Sequence, residues 1–292
     1  MTTARSRGLG AEIRKLRKEA GLRLEELAEQ CDWSRATLGR IEVGAKVPSE
    51  TEIAIILGTL GIKGQKRTRI LELAEDAHKP HWWEVGNPGL PQQLVALLEF
   101  ERSATKITNV SLGLVPGLLQ IADYTRAIMA AGGLKDSDVE SRVALRLGRQ
   151  SVLTGKSPVE FHALLDESVL HRPVGGSDVM GEQLRHITRM TLRPHITVQV
   201  IPYDLGAHVG LNGNQLLMEF QRQRTIVYLE HRRAGTFLDD PADTSPFVET
   251  VASLAKAALS PHESADLIAA CAKKMEEGNV SDHELAKVQL QR

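Results

Sequence analysis

Apolar residues recur at helical spacing in five stripes along the first 77 positions. Ile13, Leu16 and Ala20 form the first, and Gly21 stops it. Leu24, Leu27 and Ala28 form the second, and Cys31-Asp32-Trp33 makes a turn. Ser34 is an N-cap for a third helix carrying Leu38 and Ile41, with Gly44 just past its end. Ile53, Ile56, Leu57 and Leu60 mark a fourth helix over 49–60, and Ile70, Leu71, Leu73 and Ala74 a fifth over 65–77. The pattern then breaks at HKPHWWEVGNPGLP, which reads as a linker over 78–92. Beyond it, helical and alternating patterns interleave. Helices are predicted over 91–104, 118–131, 139–153, 177–192, 246–259 and 261–274, and strands over 106–115, 159–165 and 195–201. Strands over 214–220 and 225–230 are joined by QRQR as a hairpin. The expected fold is an all-α five-helix head at 1–77 and an α+β domain at 93–275, with a small mixed sheet of four or five strands. The polar tail at 276–292 is expected to fray.

Two short helices so tightly linked, the second and third, form a helix-turn-helix, whose second helix reads bases. The stretch resembles the Xre/Cro/repressor-type helix-turn-helix family. The resemblance rests on Ile13-Arg14-Lys15-Leu16-Arg17, Gly21-Leu22, Glu26-Leu27-Ala28, Ser34, Leu38, and Arg40-Ile41-Glu42 with Gly44 and Pro48. It implies a structural ion pair between Arg17 and Glu42, joining the third helix to the first. One departure stands out. Where the family has a Ser or Thr cap followed by a phosphate-binding Gln, this chain has Arg23 and Leu24, so Arg23 would replace the lost contact with a charge.

Charge agrees with that reading. Residues 1–69 carry 14 Lys and Arg against 9 Asp and Glu, a net of +5, whereas residues 70–292 carry 22 against 28, a net of −6. Near-neutrality overall thus hides a basic head on an acidic body, and a basic patch is the footprint of a phosphate-binding face. Arg35 and Ala36 open the third helix, where base edges are met. Arg35 suits a bidentate contact to guanine and Ala36 a thymine methyl. Arg40 reaches a base or the adjacent phosphate. The hydroxyls of Ser34 and Thr37 suit phosphates, or the cap in the case of Ser34. Arg14 and Lys15 are assigned to phosphates, and Lys46 joins the DNA-binding set. The N-terminal MTTARSRGLG lacks an apolar core, so it reads as a flexible arm whose Arg5 and Arg7 touch DNA rather than as a secretory signal. One reading helix spans few base pairs, so a homodimer on a pseudo-palindromic double-stranded operator is expected.

The second part also resembles a known family, through LVPGLLQ at 114–120, Asp123-Tyr124, Arg146 with Arg149-Gln150, LLDESVLHRPVGG at 164–176, ITVQVIP at 196–202 and LSPHESADLI at 259–268. These are similar to the C-terminal domain of actinobacterial WhiJ-like Xre regulators, also described as antitoxin-like. The resemblance implies a small acidic partner protein, for which a basic helix face with Arg142, Arg146 and Arg149 is suited unless those arginines pair with Glu99, Glu101 or Glu140.

Signs of catalysis are sparse. Asp166, Glu167 and His171 form the most enzyme-like cluster, but no nucleophile elbow or phosphate-cradling loop accompanies it, and a capped strand-to-helix turn explains the acids. His78 and His81 are separated by Lys79-Pro80, and four-ligand zinc spacing is lacking, so neither metal nor cofactor is expected. Two cysteines, Cys31 and Cys271, and no apolar run of membrane-spanning length point to a reduced cytoplasm, with the protein on the nucleoid. The expected function is a non-enzymatic, sequence-specific transcriptional regulator, controlled through its C-terminal domain by a small partner protein or ligand. The alternative is an enzyme or toxin-type effector targeted by a DNA-binding head.

Overall fold

The structure is a computed structural model that describes residues 3–75, 82–85, 92–133, 136–230 and 234–290. Packing divides the chain into two compact units, Met1–Ala104 with Leu217–Pro246 and Thr105–Leu216 with Phe247–Arg292.

In the first unit the head consists of α1 (Ala4–Glu19), α2 (Leu24–Gln30), α3 (Arg35–Glu42), α4 (Glu50–Thr59) and α5 (Gly64–Glu75). Their apolar stripes meet in one core containing Leu9, Ile13, Leu16, Leu27, Leu38, Ile41, Ile53, Ile56, Leu57 and Ile70. Burying each such side chain contributes roughly 1.5–3 kcal/mol relative to exposure. Side chains set the helix starts: Ser34 caps α3, and Ser49 and Glu52 form a reciprocal capping box on α4. Gly21 and Gly44 leave α1 and α3 at φ +72 and +70, a region that costs a residue with a Cβ.

The N-terminal arm departs from expectation. Residues from Ala4 onward are helical, and Arg5 and Arg7 are buried, at 8% and 7% exposure. A Thr3–Ser6 capping box starts the helix where no apolar stripe announced one. Tertiary packing then covers it, because α1 has a second face against α6 (Gln92–Ser103) and β7 (Ala234–Leu238). Within the expected linker, Trp82–Val85 is strand β1, while 78–81 and 86–91 lie outside the described residues. It pairs antiparallel with β7, Trp82 opposite Phe237, and β7 pairs antiparallel with β6 (Ile226–Glu230), which neighbours β5 (Gln215–Glu219). Phe237 is buried, with Tyr228 stacked on it at 4.6 Å and Phe100 of α6 edge-on at 5.1 Å.

In the second unit β2 (Lys106–Ser111), β3 (Glu160–Asp166) and β4 (Ile196–Ile201) run parallel, with Ile107 opposite Phe161 and Phe161 opposite Ile196. Parallel neighbours need long crossovers, here helical. The first holds α7 (Ala122–Ala131), α8 (Asp136–Arg149) and α9 (Ser151–Thr154), and the second holds α10 (Ser168–His171) and α11 (Ser177–Thr191). Two helices close the chain, α12 (Pro241–Ala257) and α13 (Pro261–Leu290). Leu254 of α12 packs on Val110, Leu164 and Ile201. The region after the head is α+β with parallel and antiparallel ladders. Seven strands are described where the pattern predicts four or five; β1 and β7 are those it does not contain. The tail expected to fray continues α13 as helix through Leu290.

Candidate nucleic-acid interface

α3 is a capped helix with one side in the core and the other toward solvent. The turn before it is closed by Trp33 N donating to Ala28 O at 2.8 Å and by Asp32 at φ +57. Ser34 Oγ then accepts from Thr37 N at 3.1 Å and lies 3.0 Å from Thr37 Oγ1, so this hydroxyl forms the cap. Leu38 and Ile41 enter the core, while Arg35, Ala36 and Arg40 are exposed. With about 100° between successive residues, positions 35, 36, 39, 40 and 43 share an arc of about 140° on the outer side. Val43 lies nearest its centre and is exposed, flanked by Ala36 and Gly39, and a Cβ on Gly39 would touch only Leu24, at 3.6 Å.

Arg35 is 70% exposed and its Nε lies 2.6 Å from Glu25 Oε1. A guanidinium at this position is of the kind that forks onto guanine O6 and N7. Lys46 donates its backbone N to Arg40 O at 3.0 Å, which places it beside the end of the same helix, and its ammonium bonds Glu52. The Lys46 bond, followed by the Ser49 amide, holds the Glu52 carboxyl below its ordinary range. At the start of α2, Arg23 N donates to Glu26 Oε2 at 2.7 Å, so Glu26 forms the cap, and the Arg23 guanidinium, 78% exposed, donates its Nε to Glu26 Oε1 at 2.8 Å. Lys15 is half-exposed between Glu12 at 4.0 Å and Glu19 at 3.8 Å.

Arg14 is placed differently from these. Its guanidinium bonds Glu99 of α6, lies 3.5 Å from Glu42 Oε2, and donates to Glu42 O at 3.2 Å. Glu42 in turn accepts from Arg17 Nε at 2.6 Å and Nη2 at 2.9 Å, with Arg17 Nη1 on Leu22 O at 2.8 Å. Glu42 is 4% exposed, and its bonds hold the Arg17 guanidinium above its ordinary value. Nothing in the local sequence of either residue marks Glu25 and Glu99 as partners of Arg35 and Arg14, which lie 10 and 85 positions away.

In the second unit, Asp166 Oδ1 accepts from Ser168 N at 2.9 Å, and Glu167 accepts from Tyr203 N at 2.9 Å and meets His171 Nε2 at 3.2 Å. These carboxylates shape the turns beyond β3 and β4. The sequence reading missed His208, whose side chain is 7% exposed with Nε2 3.7 Å from Asp166 Oδ2. Tyr203 stacks on His171 at 5.9 Å and is exposed, as are Val209 and Leu211. The LVPGLLQ segment is pinned from within: Gln120 Nε2 donates to Val115 O at 2.7 Å, and Arg146 donates to Gln120 Oε1 at 3.1 Å. Glu140 pairs with Arg126, and Arg142, Arg146 and Arg149 all have interactions within the chain. Among the described residues no group of three or more His, Cys, Asp or Glu is placed to hold a metal, and no helix is long and apolar enough to cross a membrane. His78 and His81 lie outside the described residues.

A family model described as a helix-turn-helix domain matches residues 8–70, and one described as a domain of unknown function (DUF5753) matches residues 94–270. No curated protein and no solved structure matches the chain.

Proposed function

The chain belongs to the DUF5753 family and carries a helix-turn-helix DNA-binding domain ahead of it, and from that premise we propose a sequence-specific transcriptional regulator of the WhiJ-like, antitoxin-like kind. Residues 1–77 read a pseudo-palindromic operator as a homodimer on the nucleoid in the cytoplasm, and residues 93–275 receive a small partner protein or ligand. The observation that carries this reading is the outer face of α3. It exposes Arg35, Ala36 and Arg40 on a capped helix whose other side is buried, at the surface of a head whose residues 1–69 carry a net charge of +5. What supports a ligand or partner is the rim beyond β3 and β4, where Tyr203, Val209 and Leu211 remain exposed above the turns shaped by Asp166 and Glu167.

The test is selection of bound duplexes from a random pool by the full chain, followed by affinity against salt. The expected product is a pseudo-palindrome with half-site centres about 34 Å apart. Its log affinity falls with log salt by about 0.9 for each phosphate neutralised. Failure to enrich any sequence, or equal affinity for enriched and random DNA, refutes the proposal. The function is also proposed to be non-enzymatic, because Asp166 accepts from the backbone amide of Ser168 and Glu167 from that of Tyr203, which ties the turn after β3 to the one after β4. Turnover of a hydrolase substrate panel by the full chain, abolished by Asp166→Asn, would overturn that part.

A further inference from the structure

The N-terminal half of α1 is enclosed on two sides. On one side it touches the end of the reading helix: a Cβ on Gly10 would lie 2.4 Å from Ile41 O and 2.7 Å from Glu42 O, so backbone meets backbone. Ser6 Oγ donates to Gly44 O at 3.0 Å, in the turn that leaves α3. On the other side it is fastened to α6 and to the segments flanking β5 and β7. The Arg7 guanidinium lies over the rings of Phe100 at 4.5 Å and Phe220 at 4.0 Å, and its Nη2 donates to Ser103 Oγ at 3.4 Å. Ala4 N donates to the Asp239 carboxylate. Burial lowers the Arg7 pKa to about 10, which leaves it charged at neutral pH and able to hold both rings.

One side chain crosses from one side to the other. Arg14 bonds Glu99 of α6 and the backbone carbonyl of Glu42, the last residue of α3, and lies 3.5 Å from the Glu42 carboxylate. Glu99 lies within the stretch that matches the DUF5753 family, and Glu42 within the helix-turn-helix match.

We infer that Glu99 is a positioning residue for DNA reading: through Arg14 it braces the last turn of α3, so that a shift of α6 reaches the recognition helix through α1 without passing along the chain between residues 75 and 92. This rests on the proposed DNA-binding function. The physical requirement is an element with two arrangements that both sites bias. Here that element is the Glu99–Arg14 bond, which is made or broken as α6 moves. With the bond made, Arg14 is held by two carboxylates. With it broken, it keeps Glu42 alone and loses its fixed place against the carbonyl at the end of α3.

The experiment compares the full chain with Glu99→Gln and with the conservative Glu99→Asp, using an operator selected by the wild type. Two quantities are read: amide hydrogen exchange across residues 35–44, and affinity for operator and random DNA. In Glu99→Gln, exchange at the last turn of α3 is expected to quicken. Operator affinity is expected to fall by roughly 5-fold or more, the lower end of ordinary coupling between sites. Random-DNA affinity stays unchanged, and Glu99→Asp recovers part of both effects. Unchanged exchange in α3 overturns the inference. So does quickened exchange with unaltered operator affinity, since Glu99 would then serve packing alone. If the wild type binds no sequence preferentially, the proposed function fails and the DNA half of the inference with it, whereas the exchange data still decide the mechanical link.

Discussion

Replacing Glu42 by alanine is expected to destabilise the head far more than loss of one surface charge would. The Glu42 side chain is 4% exposed and accepts two bonds from Arg17, which is itself 10% exposed. Truncation leaves Arg17 charged, enclosed and bonded only to the carbonyl of Leu22. Breaking a buried pair from one side costs about 3–5 kcal/mol, because the remaining charge lacks compensation. For a protein of this size that lowers the thermal midpoint of the unit holding the head by roughly 6–20 °C. Calorimetry of the full chain measures it. The decisive comparison is the double variant Arg17→Met with Glu42→Leu, which removes both charges and fills the space. It should regain most of the loss, since an apolar replacement of a buried pair is often neutral or better. A double variant as unstable as Glu42→Ala would refute the uncompensated-charge argument. An unchanged midpoint in Glu42→Ala would refute the burial of the pair.

Three further outcomes are expected. Gly10→Ala forces α1 away from the carbonyls of Ile41 and Glu42, at about 1–3 kcal/mol or more for overpacking, seen as a lower melting midpoint. Arg35→Ala loses about 1–3 kcal/mol on the operator and relaxes preference at a single base pair, checked by binding to operators substituted one pair at a time; an unaltered base preference would move the reading face elsewhere. Lys46→Met should raise the Glu52 carboxyl toward its ordinary value, since Lys46 is the largest cause of its depression. Because the folded-state value lies below the unfolded one, that pair's contribution is present above the ordinary carboxylate range and is lost as pH falls through the depressed value. Carbon-detected titration of Glu52 shows whether that loss moves to higher pH in Lys46→Met.

Local signals were legible wherever local physics decides. The stripes at Leu27/Ala28, Leu38/Ile41 and Ile53/Ile56/Leu57, with Ser34 and Gly44 at helix ends, place α2, α3 and α4 within a residue or two of where they lie. The alternation at Ile196, Val198 and Val200 does the same for β4. What escaped depends on partners distant in sequence. MTTARSR carries no apolar period, and its helix is completed by Phe100, Phe220 and Asp239. Arg14 sits on a polar surface of an isolated helix, and only α6, brought up by the fold, turns that surface inward. The start of α1 could have been read from Thr3 and Ser6, since Ser at the third helical position returns the cap bond as Glu or Gln would.

Ala36 and Gly39 put almost nothing on the outside of α3, and a methyl added at Gly39 meets only ordinary contact with Leu24. Substitutions there therefore leave the fold undisturbed, whereas one methyl at Gly10 on the opposite side of the same packing does not. The helix thus separates two kinds of heritable change. Its inner edge is closed to variation by carbonyls and a shared carboxylate. Its outer strip is open to substitution, so under the proposed function target preference would change there one residue at a time without loss of the fold.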